Sequence, residues 1–196
     1  MKTFLGNDAP LPDNDNPASA IDLVVHLGRE RRFGGWGDPN WTVLHHSMLV
    51  SLLWLKAYGP QGVQHALLHD AHEYITGDLP SPVKQFMGHE QVKLLEGFLD
   101  DRVREMAGFD EPDASDKHRV KMVDQAALII EAYYFGTKGS FHLIGQENWG
   151  KNVGVTSADR ADIRTIIKNL CPEVVEMMNI LNPRPDNRGQ FEPVYK

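Results

Sequence analysis

Apolar residues recur at helical spacing along most of this chain, and alternation of period two is weak throughout. Ile21, Val24, Val25 and Gly28 share one face, which predicts a first helix from Pro17 to about Arg32, capped by Asn16 with Pro17 at its first position. Phe33 to Asn40 carries three glycines and a proline, a composition unfit for a helix interior. A second helix is expected from the cap Thr42 through Val43 to about Tyr58, stopped by Gly59-Pro60. Pro60 can open a third helix that carries Ala66, Leu67, Leu68, His69, Asp70 and Ala71. The stretch Thr76 to Pro82 reads as a loop stiffened by two prolines. Further helices are expected over His89 to Ala107, Ser115 to Phe135, Ser157 to Leu170 and Pro172 to Leu181, with Gly108 and Gly136 as stops. Gly139 to Val155 is Gly-rich and irregular. The expectation is an all-α protein: a loop or arm over 1–16, one domain over 17–181 and a polar, Pro-rich tail over 182–196.

Composition narrows the partners. A chain of 196 residues, 41% hydrophobic and 24% charged, can bury a sizeable core as one domain. A net charge of −7 argues against a nucleic-acid polymer or an anionic membrane as partner. It leaves room for a small anion held by a few local cations and a metal. Cys171 is the sole cysteine, so no internal disulfide can form, and a reduced, cytoplasmic compartment is expected. No apolar segment follows Met1-Lys2 as a signal peptide would require, and no apolar run is long enough to span a bilayer.

The chemistry concentrates in four polar residues set in apolar helical surroundings. His69 and Asp70 are adjacent, flanked by Ala66, Leu67, Leu68 and Ala71. His46 lies among Leu44, Leu49, Val50 and Leu53, and Asp124 among Val120, Val123, Ala127 and Leu128. A buried imidazole beside a buried carboxylate needs a partner, and a divalent metal is one. A lone histidine on an apolar helix is more often a hydrogen-bonded core residue. Four such residues on three successive helices point instead to a mixed imidazole and carboxylate site. That donor set suits Zn, Mn, Fe, Co or Ni. His65, His69 and either His72 or Glu73 would share one helical face. The expected chemistry is hydrolysis by metal-activated water.

These residues resemble the HD-domain phosphohydrolase superfamily, whose signature is His…His-Asp…Asp on a helical bundle. The block from His69 to Lys84 is similar to the pattern His-Asp-x-x-Glu-x-x-x-Gly-Asp-x-Pro-x-Pro-x-Lys. That pattern marks bacterial 5′-deoxynucleotidases and phage-type dATP triphosphohydrolases. Arg32-Phe33-Gly34-Gly35 resembles an element of the phage-type branch, His46-Ser47 the family's His-Ser, and Val123-Asp124 its late Ala-Asp. The resemblance covers Ile21 to Phe135. It implies His46, His69, Asp70 and Asp124 as metal ligands and Glu73 as the catalytic carboxylate. It further implies Arg32 as a phosphate clamp, Phe33 beside the sugar or base, Asp78 as reader of the sugar edge and Pro80 as a wall for the base. Position 45 is His where relatives carry Glu or Gln. His72 replaces a small residue; it could be an extra base, a second-metal ligand or a solvated side chain.

The resemblance therefore implies an enzyme acting on 2′-deoxynucleotides. Its cofactor would be a divalent transition metal (Co, Mn, Zn or Fe), with a second divalent ion as a further option alongside substrate. A triphosphohydrolase releasing deoxynucleoside and triphosphate from dATP is the leading expectation, with a 5′-deoxynucleotidase acting on dNMPs as the alternative. A non-catalytic, metal-stabilised interaction module ranks behind both. Lys84, Lys117, His118, Arg119 and Lys121 are candidate cations for a triphosphate, and a homo-oligomer is implied by the relatives. Bland roles compete at three positions: Glu73 as an exposed helix residue, Arg32 as a solvated helix end, and Asp78 as an Asx-turn or helix cap.

Overall fold

The computed structural model describes residues 1–35 and 40–134, together with 156, 158, 159, 161–163, 165, 166 and 169. Among the described residues the fold is helical, with two isolated bridges, Lys2 with Asp8 and Arg31 with Thr42. The expected helices hold closely at α2 (Val43–Tyr58), α6 (His89–Ala107) and α7 (Ala114–Tyr134). Thr42 caps α2 by accepting from the His45 N–H, and the His45 ring answers at the Thr42 N–H. Of the expected helix at Ser157 to Leu170, positions 158, 159, 161–163, 165, 166 and 169 are helical. Trp36, the 139–155 segment, the 172–181 helix and the 182–196 tail lie outside the described residues. No helix among the described residues is long and apolar enough to cross a membrane.

Three expectations need correction. The first helix is shorter: α1 covers Ala20–Leu27 with Ser19, not Asn16, as cap. Its C-terminal side is drawn off by pairing with the chain before α2, where the Val43 N–H donates to the Glu30 carbonyl and the Arg32 N–H to the Trp41 carbonyl. Arg32–Gly35 then form a 3₁₀ turn. The third helix is broken into α3 (Val63–Leu67) and α4 (Glu73–Thr76), with His69 and Asp70 on turns between them. The proline-rich loop ends early, because Ser81–Met87 form α5 with a proline in the first turn, where its missing N–H costs nothing.

The core has two parts. Trp41, Leu49, Leu53 and Trp54 pack on Met122, Val123, Ala127 and Ile130 of α7, with Ala66 and Ile163. Leu23, Leu27, Val43, Ala71, Tyr74 and Val103 form the other. α2 runs through both, so His46 is buried where they meet. Gly62 opens α3 at φ +82°, and a Cβ there would lie 2.9 Å from the Trp54 ring, so only glycine fits. The N-terminal arm docks on α1, with the Phe4 N–H donating to His26 Nε2 at 2.8 Å and Asn7 Nδ2 to Asp22 Oδ2 at 2.6 Å.

Candidate metal centre

α2 supplies His46, the 68–72 turn supplies His69 and Asp70, and α7 supplies Asp124. Each imidazole has its Nδ1 already committed. His46 Nδ1–H donates to Glu131 Oε1 at 2.9 Å, and His69 Nδ1–H donates to the Ala66 carbonyl at 2.8 Å. Both Nδ1 atoms thus carry the proton in the neutral rings, and both Nε2 atoms are left to face other groups, that of His46 within hydrogen-bond reach of Asp124. Those atoms converge on the two carboxylates. His46 Nε2 lies 3.1 Å from Asp124 Oδ1 and 3.6 Å from Asp70 Oδ2. His69 Nε2 lies 3.1 Å from Asp70 Oδ2 and 3.7 Å from Asp124 Oδ1.

Nitrogen lone pairs facing carboxylate oxygens repel unless a metal ion or a proton sits between them. His69 Nε2 is buried without a hydrogen-bond partner, as a metal-ligand atom would be. The ligand atoms of His46, His69 and Asp70 lie within 4.8 Å of one another. Asp124 falls outside that set of three but touches both imidazoles. The imidazoles are sealed, at 0% and 10% side-chain exposure, while Asp70 and Asp124 keep 21% and 28%. Solvent therefore reaches the centre from the carboxylate side. His45, next to His46 in the sequence, is engaged elsewhere: it closes the α2 cap and stacks on Trp41 at 5.0 Å.

Without a metal, protons must supply the positive charge. Burial opposes charging His69, but Asp70 and Asp124 outweigh it and raise its pKa well above 6.5. His46 is raised too, with burial and Arg32 opposing and Glu131 and Asp124 favouring the charge. Asp70 and Asp124 are held below the usual carboxylate range against burial, by the same imidazoles. Stability from the histidines is fully present below their unfolded pKa and is lost as pH rises through the raised folded values. A bound metal replaces those protons. The melting temperature gap between metal-loaded and chelated protein should therefore widen from about pH 6 to about pH 9. Parallel melting curves over that range check this; a gap that narrows contradicts it.

The surrounding residues separate functional from bland roles. Arg32 is no solvated helix end: it is 8% exposed, with Nη1 3.7 Å from Asp70 Oδ2 and Nη2 3.7 Å from Glu131 Oε2, and its Nε has no partner. Phe33 holds the strained left-handed conformation (φ 59°, ψ 34°), and its ring centroid lies 5.3 Å from the Arg32 guanidinium carbon. Glu73 is buried, not exposed, with Oε2 unpartnered, and burial plus Asp70 and Asp78 push its pKa up to about 9. A divalent cation held beside Asp70 would offset that repulsion and favour the ionised form of Glu73. Asp78 does not cap α5, whose N-cap is Pro80. Asp78 Oδ2 is buried without a partner, while its N–H donates to Glu30 Oε1 at 3.2 Å. Pro80 is exposed and is tied to the centre only through the loop it shares with Asp78.

Of the candidate cations, Lys84 comes under the pull of the centre. Burial opposes its charge, but Glu96, Glu73 and Asp70 together raise its pKa. Lys117 pairs with Glu111, Arg119 with Asp116 and His118 with Asp159. A cavity of about 300 Å³ is lined by His69 with Leu68, Val103 and Phe109, and its polar lining groups include His65, Asp100 and Lys117.

Glu131 is absent from the sequence expectations and is central here. It is fully buried and accepts from His46 Nδ1, from Trp41 Nε1 at 2.7 Å, and faces Arg32. Its signal was a lone acid in the apolar run Ala126 to Ala132, two helical turns after Asp124.

No protein-family model matches the chain. It is similar to an uncharacterized protein of Rhodobacter capsulatus, 41% identical over 87 residues, which is 42% of this chain and 42% of that relative. The match thus spans less than half of either protein.

Proposed function

We propose that this protein is a metal-dependent phosphohydrolase of 2′-deoxynucleotides with an HD-domain bundle, acting first on dATP to release deoxyadenosine and triphosphate. The observation that carries the reading is the pair of Nε2 atoms, each tautomer fixed from behind, converging on Asp70 and Asp124 beside the buried Glu73. His46, His69, Asp70 and Asp124 would hold a divalent transition metal and leave positions open on the carboxylate side. Such an ion supplies an activated water near neutral pH and offsets charge on phosphoryl oxygens.

The chain's own residues do the rest. Glu73 orients the attacking water and takes its proton. Arg32, locked between Asp70 and Glu131, presents its unpartnered Nε to a phosphate oxygen. Lys84 adds charge for the remaining phosphates. Asp78 offers Oδ2 to a sugar hydroxyl, with Phe33 and Pro80 toward the sugar and base. A buried acceptor of that kind discriminates strongly between sugars, because a mismatch leaves it unpaired. A non-catalytic module has no use for a buried, unpartnered Glu73.

The test is a screen of dNTPs, dNMPs and NTPs with Co, Mn, Zn and Mg, with identification of the phosphate product. Triphosphate from dATP is the expected result. Inorganic phosphate from dNMPs alone moves the substrate to the monophosphate, and no release from any deoxynucleotide overturns the reading.

A further inference from the structure

We propose that the cavity between α3, α6 and α7 is a binding site for one small, flat, uncharged heteroaromatic ring. The proposal does not rest on the metal centre and stands or falls apart from it.

The volume of about 300 Å³ is at the lower end for small-molecule sites, which suits one or two fused rings. α3 lines the cavity with His65, α6 with Val103, α7 with Val120, and the connection between α6 and α7 with Phe109 and Pro112. The His65 and Phe109 rings meet edge to face, with centroids 5.6 Å apart and planes at 71°. A wall of this kind takes a further ring by offset stacking or edge contact.

The charges at the cavity cancel. Asp100 and Glu111 line it with Arg104 and Lys117. Each has its partner: Asp100 accepts from His72 Nδ1, Lys117 pairs with Glu111, and Arg104 pairs with Asp101. No unpaired charge is left to receive an ion, so the walls favour an uncharged ligand. His65 differs from these groups. Its side chain is 9% exposed, and its Nδ1 is buried without a hydrogen-bond partner among the described residues. Its Nε2 is 3.8 Å from Asp116 Oδ2, beyond hydrogen-bond reach. With no hydrogen bond holding it, the imidazole can turn a nitrogen toward a ligand. A ring with a polar edge uses that capacity and a hydrocarbon ring does not.

Gly97 supplies an independent observation. It lies in the middle of α6 (His89–Ala107), where glycine is less favourable than alanine. A Cβ there would meet nothing within 4 Å among the described residues, so packing does not demand glycine. Gly97 is exposed and lines the cavity, which puts it at the mouth. A side chain at this position would narrow the entrance. The glycine keeps the cavity open at the expense of α6.

Indole titrated into the full chain, followed by calorimetry and by the methyl resonances of Val103 and Val120, tests this. Indole offers an N–H and no lone pair, so it does not ligate a metal. It should bind at one site with a Kd of about 1 mM or tighter and shift both valines. Indene, the same shape without the N–H, should bind about 2–10-fold more weakly. Tryptamine, which adds a positive charge, should bind about 10-fold more weakly or not at all. Gly97→Phe should weaken indole about 10-fold by filling the mouth. His65→Phe keeps a ring in the wall and should abolish the preference for indole over indene. Melting curves establish that each variant folds, and if His65→Phe does not, Gly97→Phe and the indene comparison carry the test. No saturable indole binding overturns the proposal. Tighter binding of tryptamine than of indole overturns it too, as does unchanged indole affinity in Gly97→Phe together with equal affinity for indene and indole.

Discussion

Replacing Glu131 with alanine should lower folding stability by about 3–5 kcal/mol, the usual effect of removing one partner from a buried charge pair. The carboxylate serves three groups at once. Without it the Arg32 guanidinium faces no acid at Nη2, and His46 Nδ1–H and Trp41 Nε1–H lose the acceptor they share. His46 also loses the contact that fixes its tautomer, so metal affinity should fall about 10–100-fold. Glu131→Gln should be intermediate, because an amide oxygen still accepts from His46 but offers Arg32 no charge. Urea unfolding and metal titration check both variants. A loss under about 1 kcal/mol with unchanged metal affinity would show that Glu131 is a passive core residue.

Glu73→Gln should leave the fold and the ion at His46 and His69 in place, yet reduce kcat about 10²–10⁴-fold. The substitution keeps the side chain's shape and removes the carboxylate that the proposed function gives the task of accepting the water's proton. Glu73 is buried on α4 beside Asp70, where an amide fits at least as well as a carboxylate. Steady-state kinetics on dATP, the proposed substrate, at saturating metal decide the matter. Unchanged kcat would move the proton-accepting role elsewhere.

The sequence made the long helices and the polar residues of the centre legible for one reason. His46, His69, Asp70 and Asp124 interrupt apolar runs, and a charged group in such a run has to be explained. α2, α6 and α7 carried both periodicity and stops, so their bounds came within a residue or two. The break at 68–72 was invisible because the apolar pattern of Ala66, Leu67, Leu68 and Ala71 continues across it. Its physical reason is local. Neighbours on a continuous helix diverge by about 100°, whereas the turn lets His69 Nε2 and Asp70 Oδ2 approach to 3.1 Å. The sequence pattern carries the first helix on to about Arg32 because nothing in Arg-Phe-Gly-Gly announces that Phe33, and not only a glycine, adopts positive φ. Glu131 carried the same signal as Asp124, but its role depends on Trp41 and Arg32 arriving from 90 or more residues away, which spacing along α7 cannot show.

The proposed function stands on one metal ion held by the two Nε2 atoms of His46 and His69 and by carboxylate oxygens of Asp70 and Asp124. Anomalous diffraction from crystals of the cobalt-loaded protein tests it most directly. A strong peak is expected about 2.0–2.2 Å from both Nε2 atoms and from a carboxylate oxygen of Asp70 and of Asp124. A cobalt-saturated crystal with no peak there, and with both imidazoles still pressed against the carboxylates, would contradict it.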